Sequence, residues 1–274
     1  MMKLGMIAPP KEESFIRAQK KGLEFVEFCI NVNGGHMPHE EFLASVPQLV
    51  EYSKKYNVPV GSVGRWGASK IAEDGSIIKE EYKLCTRLID AAAALGSPIF
   101  VTGCNYVENL SFYENITSTI KFYERLIPYA KEKGIKVATP NCRWNNYVHS
   151  DPVWELVHGY IKDLYIKYDP SHCNYDGNKN PLGEVKRWAD RIAHVHLKGT
   201  MHVNGERYED PPAGMDQFDW PAFIAMLYSI HYDGTLSIES HKNWSYQFAT
   251  TDAERAMADK GIDFTIKYMR QFIF

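Results

Sequence analysis

The chain has 274 residues, 45% hydrophobic and 24% charged, enough to bury a sizeable core without staples and too ordered in composition for a low-complexity chain. Its 31 Lys and Arg against 34 Asp and Glu give a formal net charge of −3, which weighs against nucleic-acid and membrane-surface partners. No apolar run approaches the ~20 residues of a bilayer span.

The first residues, Met1 to Pro10, carry neither a basic region nor a long apolar stretch, so a soluble cytoplasmic protein is expected. Five cysteines (Cys29, Cys85, Cys104, Cys142, Cys173), odd in number and without close pairing, fit a reducing compartment better than a disulfide framework.

In chain order, a strand-like run from Lys3 (KLGMIA) precedes a helix over Glu12 to Lys21, and a second from Glu24 (EFVEFCIN) precedes one over His39 to Tyr56. Runs from Val58 (VPVGSV) and Pro98 (PIFVTG) lead into helices over Ile77 to Leu95 and Phe112 to Lys133. Those from Ile135 (IKVATP) and Leu164 (LYIKYD) lead into Val153 to Ile161 and Leu182 to Asp190. The last two, from Ile192 (IAHVHL) and Thr235 (TLSIES), lead into Pro221 to Ile230 and Thr251 to Phe272. Gly22, Gly96 and Gly134 sit just past three of these helices, where a residue at positive φ turns the chain into the next strand. Eight βα units without a linker predict one (β/α)8 TIM barrel spanning residues 1–274. A doubly wound open sheet is the competing architecture, but neither a G-x-G-x-x-G turn nor a Walker A sequence is present.

In such a barrel the chemistry lies at the C-terminal strand ends. Side chains alternate along a strand, so Tyr165, Lys167 and Asp169 share one face of the sixth strand, opposite Leu164, Ile166 and Tyr168. The same parity separates His194, His196 and Lys198 from Val195 and Leu197, and Thr235, Ser237 and Glu239 from Leu236 and Ile238. A polar interior costs free energy unless its groups pair, so an ion-pair network, for instance Lys167 with Asp169 or Glu239, is the plain structural reading. The functional one is that Asp169, His196 and Glu239 end at the same mouth and form a site for a divalent metal: Mn²⁺, Co²⁺, Mg²⁺ or Zn²⁺. Glu27 points inward as well, toward Lys167 or Lys198.

The motifs Y-D-P-S-H (Tyr168 to His172), H-V-H-L-K (His194 to Lys198), P-P-A-G-M-D-Q-F-D-W (Pro211 to Trp220) and G-T-L-S-I-E-S (Gly234 to Ser240), with the early G-L-E-F-V-E-F (Gly22 to Phe28), resemble the sugar isomerase/epimerase superfamily with the xylose-isomerase-like barrel. That superfamily includes ketose 3-epimerases, inosose dehydratases and nucleases of the endonuclease IV type. The resemblance implies a small carbohydrate substrate, a homo-oligomer, metal ligands at Asp169, His196 and Glu239, a substrate or water contact at His172, and a substrate-gripping Arg207. It also exposes a departure: relatives read A-L-E-N-H after the fifth strand, and this chain reads A-T-P-N-C, with Pro140 in place of a metal-binding Glu.

One ligand short, the site is expected to hold its metal with three residues, with Asn141 or Cys142 as substitutes, or to hold none. With one carboxylate base left, Glu239 removes the proton α to a carbonyl, Lys198 stabilises the oxyanion and His172 shuttles the second proton. The expected enzyme is an isomerase, epimerase or lyase working through an enediolate on a small keto-sugar. A barrel that binds sugar or a partner without turnover is the alternative that Pro140 motivates. Repair of nucleic acid is weakened by the absence of a basic surface and of a richer zinc cluster. Arg65 and Trp66 in G-R-W-G, and Asn141 and Arg143 in N-C-R-W-N-N, are further candidates for substrate contacts, and the G-G-H-M-P-H loop (Gly34 to His39) for a closing lid.

Overall fold

The computed structural model describes residues 1–33, 35–175, 180–246 and 249–274. Gly34 of the proposed lid loop therefore lies outside the described residues.

All eight expected strands form, and an edge-free sheet is their solution to unpaired backbone. They are β1 (Lys3–Ile7), β2 (Phe25–Cys29), β3 (Val60–Arg65), β4 (Ile99–Thr102), β5 (Lys136–Pro140), β6 (Leu164–Tyr168), β7 (Ile192–Leu197) and β10 (Thr235–Ile238). Every pairing is parallel, and β1 closes on β10 in the register Lys3 to Thr235 through Met6 to Ile238. The main covering helices are α1 (Glu12–Lys20), α2 (His39–Tyr56), α3 (Lys79–Ala94), α4 (Phe112–Lys131), α5 (Val153–Tyr160), α7 (Pro181–Arg187), α8 (Trp220–Ser229) and α9 (Asp252–Met269), with a short α6 (Pro170–Tyr175) directly after β6. Among the described residues no helix is long and apolar enough to cross a membrane.

Local chemistry explains the boundaries. Gly22, Gly96 and Gly134 adopt φ of 64°, 69° and 72°, left-handed values that a Cβ disfavours. Helix α4 begins at a capping box in which the Ser111 hydroxyl accepts from the Glu114 N–H and the Glu114 carboxylate accepts from the Ser111 N–H. Thr251 and Glu254 do the same for α9.

Parity sorts the side chains as the alternation requires. Val195, Leu197, Leu236 and Ile238 join the large core between sheet and helices, and a smaller cluster of Cys29, Trp66, Ile99, Val101 and Ala138 fills the interior. The floor is closed by Phe25, whose ring passes so near Gly5 and Gly61 that a Cβ on either would fall within 2.5 Å of it. One element is new: after β7 the chain forms an antiparallel hairpin, β8 (Met201–Val203) and β9 (Glu206–Glu209), turning through Asn204 and Gly205 at positive φ.

Candidate active site

Three strand ends meet at the barrel mouth. Asp169 follows β6, His196 is the penultimate residue of β7, and Glu239 follows β10; Asp169 and His196 are fully buried, and 21% of the Glu239 side chain is exposed. The Lys198 ammonium lies between the two carboxylates, 2.9 Å from Asp169 Oδ2 and 3.5 Å from Glu239 Oε2, and donates to His172 Nε2 at 3.2 Å. Burial pushes the Asp169 carboxyl up, but Lys198, His172 and Lys167 together hold it well below the usual carboxylate range. Glu239 is likewise raised by burial and lowered further by Lys198, His241 and His196, so both acids stay ionised. Burial and the Lys198 charge depress His172, which remains a neutral imidazole.

Beneath this layer the arrangement departs from the expectation for Glu27. Its carboxylate faces two imidazoles rather than a lysine: His194 Nε2 lies 2.8 Å from Oε2, and His196 Nε2 lies 3.0 Å from both oxygens. The register explains it, because Glu27, His194 and His196 sit on strands separated by β1 and β10 in a narrow interior, while Lys167 and Lys198 reach upward to the mouth. His196 thus bridges Glu27 through Nε2 and Glu239 Oε2 through Nδ1 at 2.9 Å. Burial opposes its protonation, but Glu27 and Glu239 outweigh burial and raise its pKa.

The sequence-predicted residues divide into those that reach the cavity above this cluster and those that do not. That cavity, about 500 Å³, is lined by Trp66, Lys167, His172, Lys198, Glu239 and His241, with Trp144 at its edge. Trp66 packs against Gly64 with its ring 6.5 Å from His196, so it both fills the barrel and walls the site.

Arg65, the neighbour of Trp66, points the other way, donating two bonds to Glu81 of α3 at 2.9 and 3.0 Å and a third to Ile30 O, so it does not line this cavity. Asn141 uses its amide on the backbone, accepting from Asp169 N–H and donating to Asp169 C=O, which makes it a clamp for the loop that carries Asp169. Arg143 is exposed and lines a neighbouring cleft that His172 also borders. Arg207, on β9, pairs with buried Asp210 rather than lining the cavity.

Asp210 and His241 were not singled out as a pair by the motifs, yet they buttress the site. His241 Nε2 lies 3.0 Å from Glu239 Oε1 and Nδ1 lies 3.7 Å from Asp210 Oδ2. The Asn204-Gly205 turn signal marks the hairpin that brings Asp210 there.

Two groups among the described residues place three candidate ligand atoms within 4.8 Å of one another: Asp169, His196 and Glu239, and beneath them Glu27, His194 and His196. The first set fits a divalent ion. It offers hard and borderline donors, and Asp169 Oδ2, buried and 2.9 Å from the Lys198 ammonium, accepts no well-aligned hydrogen bond among the described residues. Cys142 is in neither group, and burial keeps its thiol protonated.

A family model described as the xylose isomerase-like TIM barrel matches residues 15–268. No curated protein matches the chain by sequence. Among solved structures, the D-allulose 3-epimerase from Methylomonas sp. superimposes with a TM-score of 0.76 at 17% identity, covering 99% of this chain and 98% of that one. The 3-keto-D-glucoside 4-epimerase from E. coli gives 0.71 at 18% identity over 97% of this chain and 100% of that one. A probable 3-DHS dehydratase from Bacillus anthracis gives 0.73 at 14% identity over 98% and 99%. At these identities the structural likeness concerns the fold, and the family match adds that the chain belongs to the xylose isomerase-like TIM barrel family.

Proposed function

We propose that this protein is a sugar isomerase or epimerase-type enzyme, with a lyase outcome open to the same intermediate, acting on a small keto-sugar or related polyol carbonyl compound. The observation that carries the reading is the convergence of ionised Asp169 and Glu239 with His196 and Lys198 at the base of the cavity. Asp169, His196 and Glu239 are the residues that would hold a divalent ion, which supplies Lewis-acid polarisation of a carbonyl oxygen when bound.

The chain's own groups account for the proton chemistry. Glu239, kept ionised, takes the proton from the carbon next to the carbonyl, and the C–H electron pair moves into the enediolate. Lys198, a donor already aimed at this region, stabilises the developing oxygen charge. Return of the proton to the neighbouring carbon gives aldose–ketose isomerisation; return to the opposite face of the same carbon gives epimerisation, with neutral His172 able to relay it. Expulsion of a β-hydroxyl, protonated to water, gives the dehydratase outcome. Trp66 and Trp144 offer flat apolar faces to the sugar ring.

The test is exchange of the α C–H for deuterium in D2O, followed by NMR over a panel of keto-sugars with metal-stripped and Mn²⁺-restored protein. Exchange is expected only with metal, and Glu239→Gln is expected to lower its rate at least about a hundredfold, the low end for a general base. Exchange that survives either treatment overturns the mechanism. The second reading, a sugar-binding barrel without turnover, is favoured by Pro140, which stands opposite Lys167 in the sheet register. It predicts sugar binding that Glu239→Gln leaves intact, with no exchange in wild type.

A further inference from the structure

One cation of the cavity meets its acid only at long range. Lys167, on β6, is 2% exposed and lines the cavity, yet its single ion pair among the described residues is to Asp169 Oδ2 at 4.0 Å. Asp169 has a nearer cation in Lys198 at 2.9 Å, and the Glu239 oxygens are taken up by Lys198, His196 and His241. Arg17, the other Lys or Arg of the described lining, pairs with Asp259 of α9 at 2.7 Å. Among the described lining residues Glu239 is the one acid. On the strand beside Lys167 the register partner is Pro140, which brings no charge.

An ammonium withdrawn from water is costly unless a strong partner meets it, and a 4.0 Å contact to a carboxylate shared with a second lysine is a weak partner. The position is therefore costly for an empty barrel and well suited to a bound anion, because a carboxylate accepts charge-assisted bonds from a lysine at short range.

We propose that the substrate carries a carboxylate, and that Lys167 is the residue that selects it: a keto-sugar acid rather than a neutral keto-sugar. The inference rests on the keto-sugar reading and adds the charge of the substrate. In this arrangement the carboxylate lies toward the Pro140 and Lys167 wall, and the carbonyl lies toward Lys198 and Glu239.

Two sugars that differ in one group test it. L-Sorbose and 5-keto-D-gluconate share a carbon skeleton, and the first has CH2OH where the second has a carboxylate. Binding of each to the full chain is measured by calorimetry, for wild type, Lys167→Met and Lys167→Arg, with the melting temperature of each variant recorded. Wild type is expected to bind the acid about ten- to a hundredfold more tightly, the span of one charge-assisted hydrogen bond. Lys167→Met is expected to bind both sugars alike, and Lys167→Arg to keep a preference for the acid. L-Sorbose bound as well as the acid by wild type overturns the inference and leaves the keto-sugar reading standing. Neither sugar bound by wild type overturns both. A preference that survives in Lys167→Met assigns the carboxylate to another residue and overturns the role of Lys167.

Discussion

His158 shows at a single residue how burial becomes pH dependence. It lies on α5 with no exposure, donates through Nδ1 to Leu164 C=O at 3.1 Å and accepts through Nε2 from the Thr139 hydroxyl at 2.9 Å. Burial lowers its pKa from 6.5 to about 4, so the folded protein keeps it neutral while the unfolded chain protonates it. Because the unfolded state binds the extra proton, stability is full above pH 6.5 and falls by about 3 kcal/mol as pH drops toward 4. Urea denaturation over this range is expected to show that loss in wild type and a flatter profile in His158→Gln, whose amide keeps both polar contacts. Glu27, Asp169 and Glu239, with carboxyls held low, lose their contribution in a separate window below the ordinary carboxylate pKa. At this scale the inward residues of β6, β7 and β10 were legible, because a period of two needs no partner to be read. The partners themselves were not: Glu27 meets two imidazoles of one strand, β7, more than 160 positions away in the chain, at 2.8 to 3.0 Å, and pairing at that separation leaves no local trace.

The helices and strands followed their own chemistry closely. Helix α4 is a long exposed-faced helix whose start depends on one cap, so Ser111→Ala is expected to cost about 1 kcal/mol in chemical denaturation with no change in sugar binding. A smaller loss would mean that Glu114, which also bonds the Ser111 N–H, holds the helix start by itself. Elements were readable because capping residues, positive-φ glycines and hydrophobic period all act within a few residues of where they are written. Arg65 and Trp66 mark the edge of that legibility. They stand at a strand end, where which neighbour faces the cavity depends on where the strand stops, and the ion pair of Arg65 with Glu81 of α3 decides it.

For the molecule as a whole, closure of β1 on β10 joins the two ends of the chain into one wall, and α9 packs back toward α1 through Arg17 and Asp259. We propose that residues 1–274 form one cooperative domain. Heating followed by circular dichroism and by tryptophan fluorescence is expected to give one coincident transition, and two separated midpoints would refute a single unit. The sequence by itself determined the eight alternating units, the inward set of polar side chains and the departure at Pro140, since each is a matter of local period or of residue type at a motif position. Tertiary structure alone decided that His196 bridges Glu27 and Glu239, that Lys198 spans the two carboxylates and that Lys167 is left beside a proline. Those are distances between strands far apart in the chain, and only the closed register of the barrel brings them within the few ångströms at which charge, proton and ligand chemistry operate.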